Sequence, residues 1–218
     1  MTKYIALIGD LIDSKKIKER ESFQESLKET FININKEYKS TIASNFTLTI
    51  GDEFQALLKV DGKLMQLLDS LYIQIPADFR LGLGYGEITT KIDPSLSIGA
   101  DGEAFWKARD AIKYVYTNNY NGRCNILFKS HNEGLDSTIN SLFILTESLK
   151  FQWTDLQKET FSKMLEEGIY SESFNQQEFA SKLGISESSL SKRLTASNIK
   201  IYLRGRQEIT KILEDNYE

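Results

Sequence analysis

The sequence predicts an α+β fold: a ferredoxin-like sheet with helices on one face over residues 1–149, then a small all-α helix-turn-helix domain over residues 150–218. Three observations carry this. Short apolar runs bounded by turn residues alternate with amphipathic stretches through the first two thirds of the chain. The alternation stops near Lys150, after which no strand pattern is convincing. Basic residues then gather in one stretch of a chain whose formal net charge is −4.

The elements follow in order. "KYIALIG" (3–9) is short, apolar and closed by Gly-Asp, as a buried strand would be. From Ile17 to about Ile42, Phe23, Leu27, Phe31 and Ile34 recur at helical spacing and make one apolar stripe. "TLTIGDEFQALLK" (47–59) reads as the tip of a hairpin, with Phe46, Leu48 and Ile50 on one face. "GKLMQLLDSLYIQI" is helical and ends before Pro76, which disfavours continuation. "FRLGLGYGEI" is a strand with Phe79, Leu81, Leu83 and Tyr85 on one face and Gly82, Gly84 and Gly86 on the other. Three glycines on one face imply a close neighbour, either a tightly packed helix or a bound ligand for which Gly82 and Gly84 form the floor. "ADGEAFWKARDAIKYVYT" is helical, "GRCNILFK" a strand and "STINSLFILTESL" a helix. Strand, helix, hairpin, helix, strand, helix, strand is the ferredoxin-like order.

The C-terminal part is read as helices joined by polar turns. In "FNQQEFASKLGISESSLSKRLTASNI", Ala180, Leu183, Ile185, Leu190 and Leu194 make the small core of two helices, with Gly184 at the turn. This is helix-turn-helix spacing, in which the second helix, from about Ser186 to Ala196, enters the DNA major groove. Ser186, Ser188, Ser189, Ser191, Lys192 and Arg193 are its candidate DNA contacts, with Lys200 and Arg204 behind them. From Lys182 to Lys211 seven basic residues stand against two acids, although Trp153 to Glu218 as a whole is net negative.

Totals bound the remaining readings. At 40% hydrophobic and 27% charged residues this is the composition of a soluble globular protein, and a cytoplasmic location with no membrane span is expected. The lone Cys124 excludes an intramolecular disulfide and a multi-cysteine zinc site. His131 is the only histidine and sits in the polar "KSHNEG", a poor setting for a catalytic base.

Two acids occupy equivalent places, Asp10 at the end of the first strand and Asp52 at the hairpin tip. Neighbouring strands would let them converge, and two carboxylates in one place invite a divalent cation such as Mg or Mn. Glu53 is a possible third ligand, although a regular strand turns it away from Asp52. Ser14, Lys15 and Lys16, in the loop that follows Asp10, would add amides, a hydroxyl and charge for phosphates.

"TIGDEFQALL" resembles the signature loop of GGDEF diguanylate cyclases. "ALIGD", "TIGDEF", "RLGLGYGEI" and "GEAFWKARDAI" resemble, in order, four segments of class III nucleotidyl cyclases. That resemblance implies a palm-like domain, metals on Asp10 and Asp52, a nucleotide, a dimer, and Arg109 on the transition state. Phe105 and Leu48 stand where that family has its Asn and its base-selecting Lys, which implies an altered substrate or binding without turnover. The chain as a whole resembles the bacterial SatD family, on "YIALIGDLIDSKKI", "TIGDEFQALL", "RLGLGYGEI", "SIGADGEAFWKAR" and the C-terminal helices. The expected function is a DNA-binding transcriptional regulator, dimeric, whose cyclase-like domain binds a nucleotide with metal as a sensor. The alternatives are an active metal-dependent nucleotidyl cyclase or transferase, and a scaffold that only dimerises the DNA-binding part.

Overall fold

The computed structural model describes residues 3–49 and 51–217, so Ile50, assigned above to the hairpin face, lies outside it. The described residues form a mixed α+β structure with a five-stranded sheet and eight α-helices. In chain order these are β1 (Lys3–Leu11), α1 (Arg20–Glu37), β2 (Ile42–Leu48), β3 (Glu53–Leu58), α2 (Leu64–Gln74), β4 (Phe79–Glu87), α3 (Glu103–Thr117) and β5 (Ile126–Lys129). They continue with α4 (Glu133–Phe151), α5 (Asp155–Glu166), α6 (Gln176–Lys182), α7 (Glu187–Ser197) and α8 (Ile199–Tyr217). No described helix is long and apolar enough to cross a membrane.

The strand order is β2-β3-β1-β4-β5, antiparallel throughout except for the parallel β4–β5 pair. Ile5 and Leu7 of β1 and Leu81, Leu83 and Tyr85 of β4 share one core with Leu27 and Phe31 of α1 and Leu67 and Leu71 of α2. Ile139 and Phe143 of α4 join the same core. The opposite face of β1 and β3, carrying Ala6, Ile8 and Leu57, packs against Ala104, Phe105, Ala108 and Ile112 of α3.

Helices therefore cover both faces of the sheet, not one. The reason is topological. Strands β3 and β4 run the same way, and the connections β3–α2–β4 and β4–α3–β5 step across the sheet in the same direction. Two right-handed crossovers of that kind would place α2 and α3 on one face. Since α2 and α3 lie on opposite faces, the α3 crossover has the opposite hand to the α2 crossover.

The glycine face of β4 is what draws α3 in. A methyl group added at Gly82 would stand 2.6 Å from the backbone N of Ile112, and one at Gly86 would stand 2.9 Å from that of Ala104. At Gly84 it would collide with the Ala104 carbonyl and the Ala108 amide. The helix answers with Ala104, Ala108 and Ala111, all fully buried. Gly82 and Gly84 are thus a bed for a helix, and the ligand floor expected of them is filled by α3.

Both sheet edges are closed by asparagines. Asn35 of α1 accepts from Phe46 N at 2.8 Å and donates to its carbonyl at 3.3 Å, on edge strand β2. Asn140 of α4 does the same to Phe128 on edge strand β5, at 2.8 Å both ways.

The C-terminal helices hold a second core, in which Trp153, Phe161, Phe179, Leu190, Leu194, Ile199 and Tyr202 are buried. Trp153 Nε1 donates to Ser197 O at 2.7 Å and ties the start of this region to the end of α7. Helix α8 spans both cores: Tyr202 and Leu203 belong to the second, whereas Ile209, Leu213 and Tyr217 lie in the core of the sheet.

Candidate functional site

At the tip of the sheet, register sets three charged side chains in a row. Asp10 is paired with Arg80 of β4 on one side and with Glu53 of β3 on the other. All three share the face covered by α3, because alternate residues of one strand point the same way. Arg80 Nη1 donates to Asp10 Oδ2 at 3.0 Å. Arg109, from α3, meets Glu53 with both terminal nitrogens, Nη2 donating to Oε1 at 2.8 Å. Tyr116, two turns further along α3, stacks on the Arg80 guanidinium with 4.8 Å between its centre and the ring. The row thus runs Arg80, Asp10, Glu53, Arg109 across β4, β1, β3 and α3, two neighbouring carboxylates between two guanidiniums.

Asp52, just before β3, lies one residue out of this row and accepts from the hydroxyl of Ser14. Ser14 is buried at the start of a short 3-10 turn, Ser14–Lys16, which Asp13 enters through a left-handed conformation at φ 55°. Lys15 and Lys16 are exposed, and Lys16 bonds Asp13 at 2.8 Å. The cavity beside Ser14 and Asp52 measures about 20 Å³, room for a water molecule, so any larger group at this tip would sit outside it, against the exposed Lys15 and Lys16.

Electrostatically the tip sets three carboxylates, Asp10, Asp52 and Glu53, against the guanidiniums of Arg80 and Arg109. Burial, and next the nearby Asp52, push the Asp10 carboxyl above its ordinary value of 3.8, and the Arg80 hydrogen bond opposes them. The guanidinium of Arg109 is held above its ordinary value, first by its hydrogen bonds to Glu53. The structure therefore brings Asp10, Asp52, Glu53 and Arg109 to one end of the sheet and adds Arg80. It gives Glu53 and Arg109 to each other, so neither is free for a metal or a phosphate. Among the described residues no group of three or more His, Cys, Asp or Glu side chains is arranged to hold a metal ion. Asp10 and Asp52 lie at the same end of the sheet, near enough for the charge of Asp52 to act on the Asp10 carboxyl, and each already has a partner, Arg80 for the first and Ser14 for the second.

Of the residues assigned to DNA, Ser186 is the N-cap of α7 and accepts from Ser189 N at 3.2 Å. Ser188, Ser189, Ser191 and Lys192 are exposed along α7, Arg193 and Lys200 are half-buried, and Arg204 is exposed and bonds Glu172 at 3.3 Å. Gly184 lies in the turn between α6 and α7 with φ 65°, which glycine adopts without strain. The count of basic charge in this stretch includes one residue that cannot face phosphates, since Arg206 is 1% exposed.

Arg206 belongs instead to a buried polar cluster that the sequence did not reveal. Asp69 of α2 is fully buried and accepts from Tyr170 Oη at 2.6 Å, from the Tyr202 hydroxyl and from Arg206 Nη2 at 3.3 Å. Glu147 of α4 takes a second bond from Arg206 and lies 2.7 Å from Lys150 Nζ. Burial opposes the charge on Arg206, and Tyr202, Asp69 and Glu147 more than reverse that, so it stays a cation.

Comparison with solved structures gives a loose likeness to a regulator of polyketide synthase expression from Bifidobacterium adolescentis. The identity is 12% and the TM-score 0.22, over 97% of this chain and 86% of that one. No curated protein matches the chain significantly. The family model is decisive: residues 4–213, from β1 into α8, match it, and the protein is a member of the SatD family.

Proposed function

We propose that this protein is a DNA-binding transcriptional regulator in which α6 and α7 form a helix-turn-helix and the sheet domain senses a ligand. One observation carries the reading: α7 buries Leu190 and Leu194 and leaves Ser188, Ser189, Ser191 and Lys192 exposed on its outer side. An amphipathic helix capped by Ser186, with short hydroxyls and basic side chains outward, suits a major groove. The ferredoxin-like reading of the sheet rests on the order β2-β3-β1-β4 with α1 and α2 as its crossovers. For the ligand, the placing of Asp10 and Asp52 at one end of the sheet, where burial first and the Asp52 charge next work against an ionised Asp10, supports a divalent cation, Mg or Mn, carrying nucleotide phosphates beside Ser14–Lys16. Such a cation would neutralise the two carboxylates and hold phosphate oxygens. Sensing is favoured over turnover because Glu53 holds the Arg109 guanidinium that a nucleotidyl transfer would need. A dimer with a palindromic site is the corresponding assembly.

Selection of sequences from a random duplex library with the intact protein tests the DNA reading. One enriched motif is expected, with the salt slope of binding falling by about one unit in Lys192→Ala. Absence of enrichment, or of any shift at low salt, overturns it. The sensor part is tested separately by thermal shift with nucleoside triphosphates and Mg or Mn. Stabilisation of the parent and not of Asp52→Ala is expected, and equal behaviour of the two refutes the site while leaving the DNA reading intact.

A further inference from the structure

We propose a second ligand site, in the cleft between the sheet and the C-terminal helices, for an organic carboxylate with an apolar body. The cleft holds about 580 Å³, within the range of small-molecule sites and at the kind of junction where they occur. Its walls come from α2, the start of β4, α4, α5 and α8, so a ligand there touches both the sheet core and the helical core. A neighbouring cavity of about 270 Å³ shares Tyr72, Asp78, Asn125, Glu147 and Lys150 with it and reaches Arg80.

Two properties of the walls set the ligand chemistry. The first is unsatisfied donors. Among the described residues, two buried side-chain polar atoms lack a hydrogen-bond partner: Arg206 Nη1 and Arg80 Nε. Arg206 lines the larger cavity and Arg80 the smaller. A buried guanidinium N–H without an acceptor costs stability, and an acceptor oxygen in the cleft would remove that cost. The second is charge. In the larger cavity Lys150, Lys158 and Arg206 are matched by Asp78, Glu147 and Glu159, and Arg80 and Arg123 of the adjoining smaller cavity make the joint lining net positive, so the anionic end belongs on that side. A net positive lining in a chain of net charge −4 favours an anion. Between the charged ends lie Leu68, Tyr72, Ile73, Phe79 and Ile126, an apolar stretch that a bare inorganic anion would leave uncovered. Carboxylate oxygens on a ring or branched chain satisfy both ends of this description. The site is separate from the Asp10–Asp52 tip and stands whether or not the chain binds DNA or nucleotide.

The test uses the intact protein, with benzoate and indole-3-acetate as probes and inorganic phosphate as the anion without an apolar body. At least one probe is expected to raise the melting temperature by about 3 °C at roughly ten times its dissociation constant, with phosphate giving no comparable rise. Two variants locate the effect. Ala77→Trp fills the cleft while leaving its charges in place and is expected to weaken binding at least about tenfold by calorimetry. Lys158→Glu, at a half-buried lysine of the wall, is expected to weaken it several-fold. No rise with either probe, an equal rise with phosphate, or unchanged affinity in both variants overturns the proposal.

Discussion

Asp69 shows how far a single residue can differ from its appearance in the sequence. In "LMQLLDSLYIQI" it reads as the polar side of an amphipathic helix, yet it is fully buried. Its partners come from about 100 residues or more downstream, Tyr170, Tyr202 and Arg206, so no local pattern could announce them. The same distance hid Arg206, which a count of basic residues assigned to DNA. Lys150 Nζ stands 3.7 Å from Asp69 and 4.0 Å above the Tyr72 ring, which leaves two buried cations dependent on two carboxylates. Removing one member of such a cluster strands the opposite charges. Asp69→Ala is therefore expected to lose about 3–5 kcal/mol in urea unfolding, far more than an ordinary surface carboxylate. A loss under about 1 kcal/mol would mean that water reaches the cluster and screens it.

Among the elements, those with strong periodicity were legible and those set by handedness were not. The alternation Phe79, Leu81, Leu83, Tyr85 placed the apolar face of β4 correctly, because a two-residue period has one reading. The glycine face was ambiguous, since a helix and a ligand both require absent Cβ atoms. The signal that separates them was Ala104 and Ala108, small residues four apart that lie against those glycines. For the tip, strand adjacency made it legible that Asp10 would lie at the same end of the sheet as the Asp52–Glu53 pair. Arg80 was missed because it opposes Asp10 only through the β1–β4 register. The edge strands give the element-scale prediction. Asn140 occupies both backbone groups of Phe128 on β5, and β4 lies on the strand's other side. Asn140→Ala uncovers one donor and one acceptor on an open edge, which is a template for pairing with another chain. A stability loss of about 1–2 kcal/mol and a concentration-dependent rise in mass by light scattering are expected. A variant that stays at the parent's mass would show that flanking α3 and α4 already shield the edge.

At the scale of the whole molecule, the expected boundary at residue 149 meets a chain that crosses it twice. Helix α4 runs on to Phe151, and α8 returns to the sheet after completing the second core. Tyr85 Oη donates to the Tyr217 carbonyl at 2.9 Å, and their rings lie 4.4 Å apart. Tyr217 Oη also meets Ser130 Oγ at 2.6 Å. Composition marked the change of texture near Lys150 but could not say where the last helix would dock. Each of Ile209, Leu213 and Tyr217 is nearly fully buried, and burying such side chains contributes about 1.5–3 kcal/mol apiece. Their sum rivals the 5–15 kcal/mol that holds a typical domain together. The sheet should therefore not be stable without α8. Residues 1–149 alone are expected to lack a cooperative melting transition, whereas the intact chain melts in one calorimetric step. Adding a peptide of residues 199–217 should restore part of the transition, because the lost groove is apolar and specific in shape. A fragment that melts cooperatively without the peptide would mean that α8 is docked on an already complete sheet. A change at the α7 surface would then have no stability route to the sheet, and any coupling between them would have to pass through the cleft that α4, α5 and α8 share.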